Sequence, residues 1–187
     1  MLTSFPLPTA VKSFDGFILV DKPSGPTSYD MIRWVKRIVK GVKIGHCGTL
    51  DPLASGLLII LLGKATKKQS QFMGLDKTYR CHMRLGIQTD SGDITGKVIQ
   101  EAQVPNLNSE MIQTIFQKMT GPQLQIPPMY SALKVQGTPL YKLARKGVVV
   151  KRDPRPIQIF SLDLLNVTDN KEIEFKVHCS SGTYVRT

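Results

Sequence analysis

The sequence predicts an α+β fold, with a mixed, mainly antiparallel central sheet and flanking helices. Segments with alternating apolar residues, which are typical of strands, are separated unevenly by segments with helical periodicity. The chain has 187 residues, of which 41% are hydrophobic, and this is enough for one sizeable core. No internal repeat, low-complexity tract or linker divides the sequence. We therefore assign residues 1–15 to an N-terminal tail and residues 16–187 to one domain.

Four elements are predicted in the first half: a strand over 16–20, a helix from Thr27 or Ser28 to about Lys40, a buried strand over 57–62 and a short basic helix over 64–73. A Pro/Gly turn over 21–26 separates the first two. Thr27 and Ser28 are both good N-cap residues, and Gly41 is a common helix stop. The first helix has an apolar stripe that includes Ile32, Val35 and Val39.

The second half is predicted to contain more strands than helices. Residues 78–85 alternate strictly, with Tyr79 on the apolar face of a strand. The remaining predicted elements are a turn-rich stretch over 89–96, a strand near Val98, a helix over 108–119 capped by Asn108 and stopped at Gly121-Pro122, a helix opened by Thr138-Pro139 and ended by Gly147, and strands over 157–159 and 173–179.

The chain is strongly basic. Its 25 Lys and Arg against 14 Asp and Glu give a net charge of +11. Such a charge favours polyanionic partners, so nucleic acid is the first expectation and an anionic membrane surface the second. The longest apolar run, residues 57–62, is far shorter than the ~20 residues of a spanning helix. The N-terminal segment lacks the pattern of a signal peptide. We therefore expect a cytoplasmic protein.

One region carries much of the excess charge. Between residues 122 and 156 there are seven Lys and Arg but a single acidic residue, Asp153. Aromatic and apolar residues such as Tyr130 and Tyr141 lie among these cations. Cations for phosphate and rings for exposed bases are what an RNA-gripping insertion needs. The alternative is a solvated surface of helix and turn.

The three cysteines do not indicate a disulfide framework, because their number is odd and their spacing wide. Cys47, Cys81 and Cys179 each stand beside a histidine, which raises the possibility of a zinc site. In a strand, however, adjacent side chains point to opposite faces, so each pair could supply one ligand. No C-x2-C or H-x3-H spacing is present. We expect no metal.

The glycine-rich segment over residues 45–56 is the main candidate for chemistry. It holds one carboxylate, Asp51, just before the most apolar strand of the chain. The sequence has no Walker A, G-x-S-x-G, G-x-G-x-x-G or H-E-x-x-H motif. Taken alone, Asp51-Pro52 is more typical of a structural feature, such as a cap or an Asx turn, than of a reactive carboxylate.

Several segments together resemble the TruB-type tRNA pseudouridine synthases. Residues 45–56 are similar to the active-site motif of that family, with Asp51 at the position of its catalytic aspartate. The other similar segments are 16–25, with Lys22-Pro23-Ser24-Gly25, then 77–80, 85–93, 127–134, 140–145 and 179–187. They occur in the family's order and spacing. The resemblance covers residues 16–187, and it implies that 16–187 is a pseudouridine synthase catalytic domain and that 122–156 is its RNA-clamping insertion.

The resemblance implies a function and a set of site residues. The expected reaction is isomerisation of uridine to pseudouridine in the T loop of tRNA, at position 55, on a flipped-out nucleotide and without a cofactor. By this resemblance Asp51 is the nucleophile, and Asp93 positions Arg186. The implied substrate-binding residues are Tyr79, Arg186, His46 and Tyr184. Arg186 is also the implied cationic partner of Asp51. A core tyrosine at Tyr79 and a structural histidine at His46 are the alternatives.

The expected partner is the T-arm of tRNA, and we expect a monomer with no obligate protein partner. Two other functions stay open: a non-catalytic module that binds or folds RNA, and a synthase that depends on a guide RNA. The chain stops at Thr187, directly after Arg186, where family members continue. We therefore expect a domain cut short at its C-terminal end, with Arg186 in a frayed terminus.

Overall fold

The computed structural model describes residues 14–169 and 171–187. The chain divides into two compact units, one ending at Met73 and the other running from Gly74 to Thr187. The predicted α+β class is confirmed, and the strand pairings of the described residues are antiparallel. The predicted tail over residues 1–15 lies almost wholly outside the described residues.

The first unit is a three-stranded sheet with helices. Its elements are β1 (Gly16–Lys22), α1 (Ser28–Ile38), β2 (Ile44–Cys47), β3 (Gly56–Leu62), a 3-10 helix (Gly63–Lys68) and α2 (Gln69–Met73). The strand order is β1-β3-β2. The short basic helix predicted over 64–73 is therefore two helices of different type. β2 was not predicted, because its glycine and histidine do not form an apolar alternation.

Helix α1 begins where its capping residues place it. Thr27 and Asp30 form a capping box, in which each side chain binds the backbone N–H of the other residue. Met31 and Ile32 are buried against β3, at Leu58 and Ile60. The helix ends at Ile38, two residues earlier than predicted, and Val39 has extended backbone angles. Val39 is therefore not part of a helical stripe.

The second unit contains a longer sheet. Its elements are β4 (Lys77–Arg84), β5 (Ile87–Thr89), β6 (Val98–Glu101), α3 (Ser109–Met119), β7 (Gly121–Gln125), β8 (Lys134–Val135), β9 (Thr138–Pro139), α4 (Leu140–Ala144), β10 (Arg155–Thr168) and β11 (Glu172–Cys179). Four strands form a sheet in the order β4-β11-β10-β7, and β5-β6 and β8-β9 are two-stranded.

Proline explains two differences from the predicted elements. Pro122, read as a helix stop, lies in β7, which is an edge strand where a residue without an N–H is tolerated. Pro139 is the N-cap of α4 rather than its first residue, and it also pairs with Lys134 in the β8-β9 hairpin. α4 then ends at Ala144, three residues before Gly147.

The cores of the second unit form on the apolar faces predicted for β10 and β11. Ile157, Ile159, Val177 and Cys179 form one buried cluster. α3 packs against the same sheet through Ile112 and Phe116, which meet Ile173 in a second cluster. The ring centroids of Phe116 and Phe175 are 5.5 Å apart in an edge-on arrangement. The predicted cap of α3 is confirmed, since Asn108 accepts a hydrogen bond from the N–H of Met111.

Candidate active site

Asp51 lies in the loop between β2 and β3, in the first unit. Its carbonyl accepts a hydrogen bond from the N–H of Ala54 at 3.0 Å, which closes a tight turn. Asp51 itself is half-buried, whereas Pro52 and Leu53 within the turn are exposed. A carboxylate at the start of a turn is thus carried by a short, locally hydrogen-bonded piece of backbone.

The start of α1 holds the loop on one side of Asp51. The side-chain oxygen of Ser28 accepts a hydrogen bond from the N–H of Leu50 at 2.9 Å. The same hydroxyl lies 3.2 Å from the carbonyl oxygen of Leu50, to which it donates. Ser28 is only 2% exposed, so this two-way bond is shielded from water. It fixes the backbone of the residue that directly precedes Asp51.

The turn after β1 holds the loop on the other side of Asp51. Lys22 is fully buried, and its Nζ donates to the carbonyl oxygens of Pro23, Pro26 and Pro52 at 2.9, 2.8 and 3.2 Å. The N–H of Gly25 also donates to the Pro52 carbonyl, at 2.7 Å. Both residues adjacent to Asp51 in sequence are therefore tied to other parts of the unit.

The buried ammonium also shapes the electrostatics around Asp51. Burial lowers the pKa of Lys22, and the negative charge of Asp51 opposes that shift. Three carbonyl acceptors satisfy the three N–H donors of the ammonium. Sequence reasoning missed this role of Lys22, although a signal was present. Ile18, Val20 and Lys22 alternate along β1, so Lys22 lies on the face that packs into the core.

His46 lies in β2 and is half-buried. Its Nδ1 donates a hydrogen bond to the carbonyl oxygen of Gly48. Because a carbonyl only accepts, Nδ1 carries the proton in this contact. The His46 carbonyl accepts from Gln69 Nε2 at 2.7 Å. These bonds give His46 a structural role in shaping the start of the Asp51 loop.

Tyr79 lies in β4 of the second unit, opposite Val177 of β11. It is half-buried and packs against the cluster that contains Ile157 and Ile159. The predicted apolar face packs into the core at Tyr79 and Cys81, whereas Met83, which was predicted on the same face, is exposed. The ring contributes to the core, as expected if Tyr79 is a core tyrosine. Part of its surface is also accessible.

Arg186 is held firmly within the second unit. Its Nη1 donates to the carbonyl oxygen of Ser91 at 2.7 Å, and its Nη2 donates to that of Tyr130 at 2.8 Å. Nη1 also lies 4.0 Å from Oδ2 of Asp93. The side chain is only 15% exposed. The structure therefore brings the predicted residues Arg186 and Asp93 together, and it ties both to the turn over residues 89–96.

Asp93 is an ionised anchor of this turn. Burial raises the pKa of Asp93, but hydrogen bonds from Thr95 and Ser91 and the charge of Arg186 more than offset this effect and hold the pKa below its usual value. Oδ1 accepts from the hydroxyl of Ser91 at 2.9 Å and from the backbone N–H of Thr95 at 2.9 Å. Oδ2 is left to face the guanidinium.

Gly92 allows the close approach of the turn to Arg186. Its φ is +73°, and a Cβ at this position would lie 2.8 Å from the carbonyl oxygen of Arg186. A side chain would therefore be both strained and crowded.

The segment from Tyr184 to Thr187 is hydrogen-bonded to β7. The expectation that Arg186 lies in a frayed terminus was therefore wrong. The N–H of Tyr184 donates to Oε1 of Gln125 at 2.8 Å, and Nε2 of Gln125 donates to the Tyr184 carbonyl at 2.8 Å. The same Nε2 lies 3.1 Å from the carbonyl oxygen of Thr187. One side chain of β7 thus binds the terminal segment as a neighbouring strand would. Nothing in the sequence pattern singled out Gln125 for this role.

The candidate residues are distributed over both units. Asp51 and His46 belong to the first, together with Lys22 and Ser28. The second holds Tyr79, Asp93, Tyr184 and Arg186. Within residues 14–169 and 171–187, no group of three His, Cys, Asp or Glu side chains is arranged to hold a metal. No helix in the described part of the chain is long and apolar enough to cross a membrane.

Comparison with known proteins identifies the family. The profile described as "TruB family pseudouridylate synthase (N terminal domain)" matches residues 36–185. The match includes the Asp51 loop, β4 with Tyr79, and the segment with Asp93. The chain belongs to the TruB family of pseudouridylate synthases.

Among its relatives are proteins named tRNA pseudouridine synthase B. That of Endomicrobium trichonymphae is 48% identical over 94% of this chain and 76% of its own length. The proteins of Hydrogenovibrio crunogenus and Geotalea uraniireducens are 46% and 47% identical over 94% and 92% of this chain. The chain spans only 58% and 56% of the length of these two relatives.

The fold also matches solved structures. A chain of a Cbf5-Nop10-Gar1 complex superposes with a TM-score of 0.67 and 28% identity, over 91% of this chain and 41% of that one. A chain of an H/ACA RNP bound to a substrate RNA containing 2'-deoxyuridine has a TM-score of 0.62 and 24% identity, over 91% of this chain and 39% of that one.

Proposed function

We propose that this chain is the catalytic part of an enzyme that isomerises uridine to pseudouridine at position 55, in the T loop of tRNA. The observation that carries the proposal is the family match, which places Asp51 within the matched segment, together with relatives named tRNA pseudouridine synthase B. The net charge of +11 supports a polyanionic substrate. The proposed setting is the cytoplasm, with the protein acting as a monomer.

The chemistry asks little of the protein beyond a carboxylate and a fixed geometry. The bond between C1′ of the ribose and N1 of uracil breaks, and a bond from C1′ to C5 forms. One proton leaves C5 and one is gained at N1, so all atoms of uridine are kept and no co-reactant is consumed. An ionised carboxylate can begin this sequence by attacking the sugar or the base, or by relaying a ribose proton. We assign that role to Asp51.

The geometry of the loop supports this assignment. A reacting carboxylate needs a fixed position, since small displacements are costly in rate. The backbone on both sides of Asp51 is fixed, by Ser28 at Leu50 and by Lys22 and Gly25 at Pro52. The anchors come from the turn after β1 on one side and from the start of α1 on the other, so the carboxylate is carried by backbone that is fixed at both ends.

The other predicted residues receive roles in binding the substrate. Tyr79 offers the accessible part of its ring for stacking on a uracil that has left its own stack. Arg186 supplies a positive charge to the bound substrate, and Asp93 positions it. His46 and Tyr184 contact the RNA. Nδ1 of His46 is engaged with the Gly48 carbonyl, so Nε2 is the ring nitrogen assigned to that contact.

Assay of an unmodified tRNA transcript tests the proposal. The protein is incubated with the transcript, and pseudouridine is mapped by carbodiimide treatment and primer extension. A stop at position 55 is expected, with no stop in a control transcript that carries cytidine there. RNA binding with no stop at any uridine would favour the non-catalytic RNA-binding alternative.

Dependence on a guide RNA is the other alternative, and the likeness to the Cbf5-Nop10-Gar1 complex is the observation in its favour. The identity to that chain is 28%, against 46–48% for the proteins named tRNA pseudouridine synthase B. We therefore expect the transcript to be modified with no added guide RNA. Modification only in the presence of a guide would reverse this choice.

A further inference from the structure

A small cationic cavity lies within the basic segment of the second unit. Its volume is about 120 Å³. The apolar part of its lining includes Pro127, Leu133 and the buried Leu140. The polar part consists of four cationic side chains and one carboxylate: Lys134, Lys151, Arg152, Arg155 and Asp153. The cavity therefore carries a net charge of +3.

These cations are not neutralised by any acidic side chain among the described residues. Across the described residues, no ion pair within 4.0 Å involves any of the four cations or Asp153. Like charges gathered in one cavity repel each other, and this repulsion is relieved only by an anion or by salt. The four cations line one small recess, in which Arg152 is half-buried while Lys134, Lys151 and Arg155 are exposed.

Arg152 adds a second observation. Its Nε is buried and has no hydrogen-bond acceptor among the described residues. A buried donor without a partner costs about 1–3 kcal/mol and calls for an explanation. In a guanidinium the Nε–H and one Nη–H form a planar fork that matches two oxygens of a phosphate group. An anion bound at Arg152 would supply the acceptor.

The volume limits what the cavity can hold. Pockets for organic ligands are usually about 300–1,000 Å³, so a space of about 120 Å³ excludes a whole nucleotide. It suits a single tetrahedral phosphate group whose substituents extend outwards. Tyr141 belongs to the same segment and offers an aromatic ring. The guanidinium carbon of Arg145 lies 5.5 Å from the centroid of this ring. Cations with an aromatic side chain are typical of RNA contacts.

We infer that this cavity binds one backbone phosphate of the RNA substrate and thereby fixes the register of the RNA on the basic segment. The inference rests on the proposed function for the identity of the RNA. Binding at this cavity differs from a general attraction between opposite charges. One phosphate of the RNA is held by a defined set of side chains, and the neighbouring phosphates are not held in this way. Such contacts position a nucleic acid without reading its sequence.

Two double variants of equal charge test this inference. Lys134→Gln with Lys151→Gln removes two exposed cations of the cavity. Lys142→Gln with Lys146→Gln removes two exposed cations of the same segment outside it. Dissociation constants are measured for a T-arm stem-loop RNA. We expect the cavity variant to bind about tenfold more weakly than the control variant, which is the scale of one charge-assisted hydrogen bond. Equal losses in the two variants would overturn the inference.

Ethylation interference then locates the phosphate. We expect ethylation of one phosphate to weaken binding by the parent protein but not by the cavity variant. Arg152→Gln should abolish the same signal, and Arg152→Lys, which keeps the charge but not the fork, should restore it only in part. A pattern that is identical in the parent and in all these variants would contradict the inference. Thermal unfolding of each variant shows whether the fold is retained.

A free anion is distinguished by a separate measurement. Inorganic phosphate is compared with chloride at equal ionic strength, using the Tm of the parent and of the cavity variant. Stabilisation of the parent alone, combined with an unchanged ethylation pattern, would mean that the cavity takes a free anion, and the RNA assignment would fail. Pseudouridine formation by the parent is measured in parallel. If no pseudouridine forms, the proposed function is contradicted, whereas the result on phosphate binding is unaffected.

Discussion

The Nζ of Lys22 donates a hydrogen bond to the carbonyl oxygen of Pro52, across 30 positions of sequence and at a distance of 3.2 Å. Pro52 directly follows Asp51, so a fully buried ammonium holds the backbone next to the proposed nucleophile. The same ammonium binds two carbonyls of the turn after β1. One cation thus joins the end of the first strand to the Asp51 loop.

Replacing Lys22 should destabilise the first unit. Lys22→Met removes the donor that the carbonyl oxygens of Pro23, Pro26 and Pro52 share, at a cost of about 1–3 kcal/mol in the free energy of unfolding. Urea unfolding measures this cost. Lys68→Met, at an exposed position of the 3-10 helix, is the matched control and should change the free energy by less than about 0.5 kcal/mol. Equal effects of the two substitutions would remove the anchoring role of Lys22.

Asp51→Asn should abolish turnover while RNA binding stays within a few fold of the parent. The amide keeps the size of the side chain and loses the charge that reacts. The backbone bond from Ala54 to the carbonyl of residue 51 is retained, so the turn should persist. Single-turnover rates and dissociation constants are compared. Isomerisation above about a hundredth of the parent rate would exclude Asp51 as the nucleophile.

Ser28 and Thr27 form a matched pair of small side chains with different partners. Ser28→Ala removes the two-way bond to Leu50, so we expect kcat to fall about tenfold with little change in RNA affinity. Thr27→Ala removes a helix cap instead and should cost about 1 kcal/mol of stability with a smaller effect on kcat. If kcat falls equally in both variants, helix stability rather than loop position controls the rate.

Arg186→Ala should slow the chemical step far more than it weakens RNA binding. Arg186→Lys should recover only part of the loss, because an ammonium lacks the planar fork that reaches both the Ser91 and the Tyr130 carbonyls. Rates under saturating protein separate the chemical step from binding. An effect of Arg186→Ala on the dissociation constant alone would make Arg186 a simple RNA contact.

The stabilising effect of Asp93 should depend on pH. Because the folded-state pKa of Asp93 lies below its ordinary value of 3.8, its contribution is fully present above pH 3.8 and is lost as the pH falls through the folded pKa. The free energy of unfolding of the parent should therefore exceed that of Asp93→Asn by about 1–3 kcal/mol near neutral pH. The difference should shrink in acid. A difference that is constant down to pH 2 would mean that Asp93 acts through shape alone.

Local signals predicted the helices and most of the strands. Thr27 and Asn108 cap their helices as expected, because capping involves residues only a few positions apart. β4 and β11 follow from alternation along single segments. β7 was missed because Gly121-Pro122 looks like a stop, and its pairing with β10 joins residues at least 30 positions apart. Such pairing leaves little trace in local composition.

In the candidate site, too, the residues were predicted but their long-range contacts were not. Asp51, Tyr79 and Arg186 were found through the resemblance of their segments to a family, whereas the contacts that hold them were not predicted. Lys22 and Gln125 act on backbone atoms of residues about 30 and 60 positions away. A hydrogen bond to a main-chain carbonyl places no demand on the partner's side chain, so the sequence of the partner segment does not record it.

The Asp51 loop is anchored through its main chain, so the position of its backbone does not depend on which side chains the loop carries. Ser28 and Lys22 recognise only peptide groups at Leu50 and Pro52, and they would hold the same backbone whatever side chains it carried. Leu53, which is 38% exposed, is free to be exchanged for other residues without moving the carboxylate. Residues on the exposed surface of the loop can therefore be substituted while the carboxylate of Asp51, the proposed nucleophile, keeps its position.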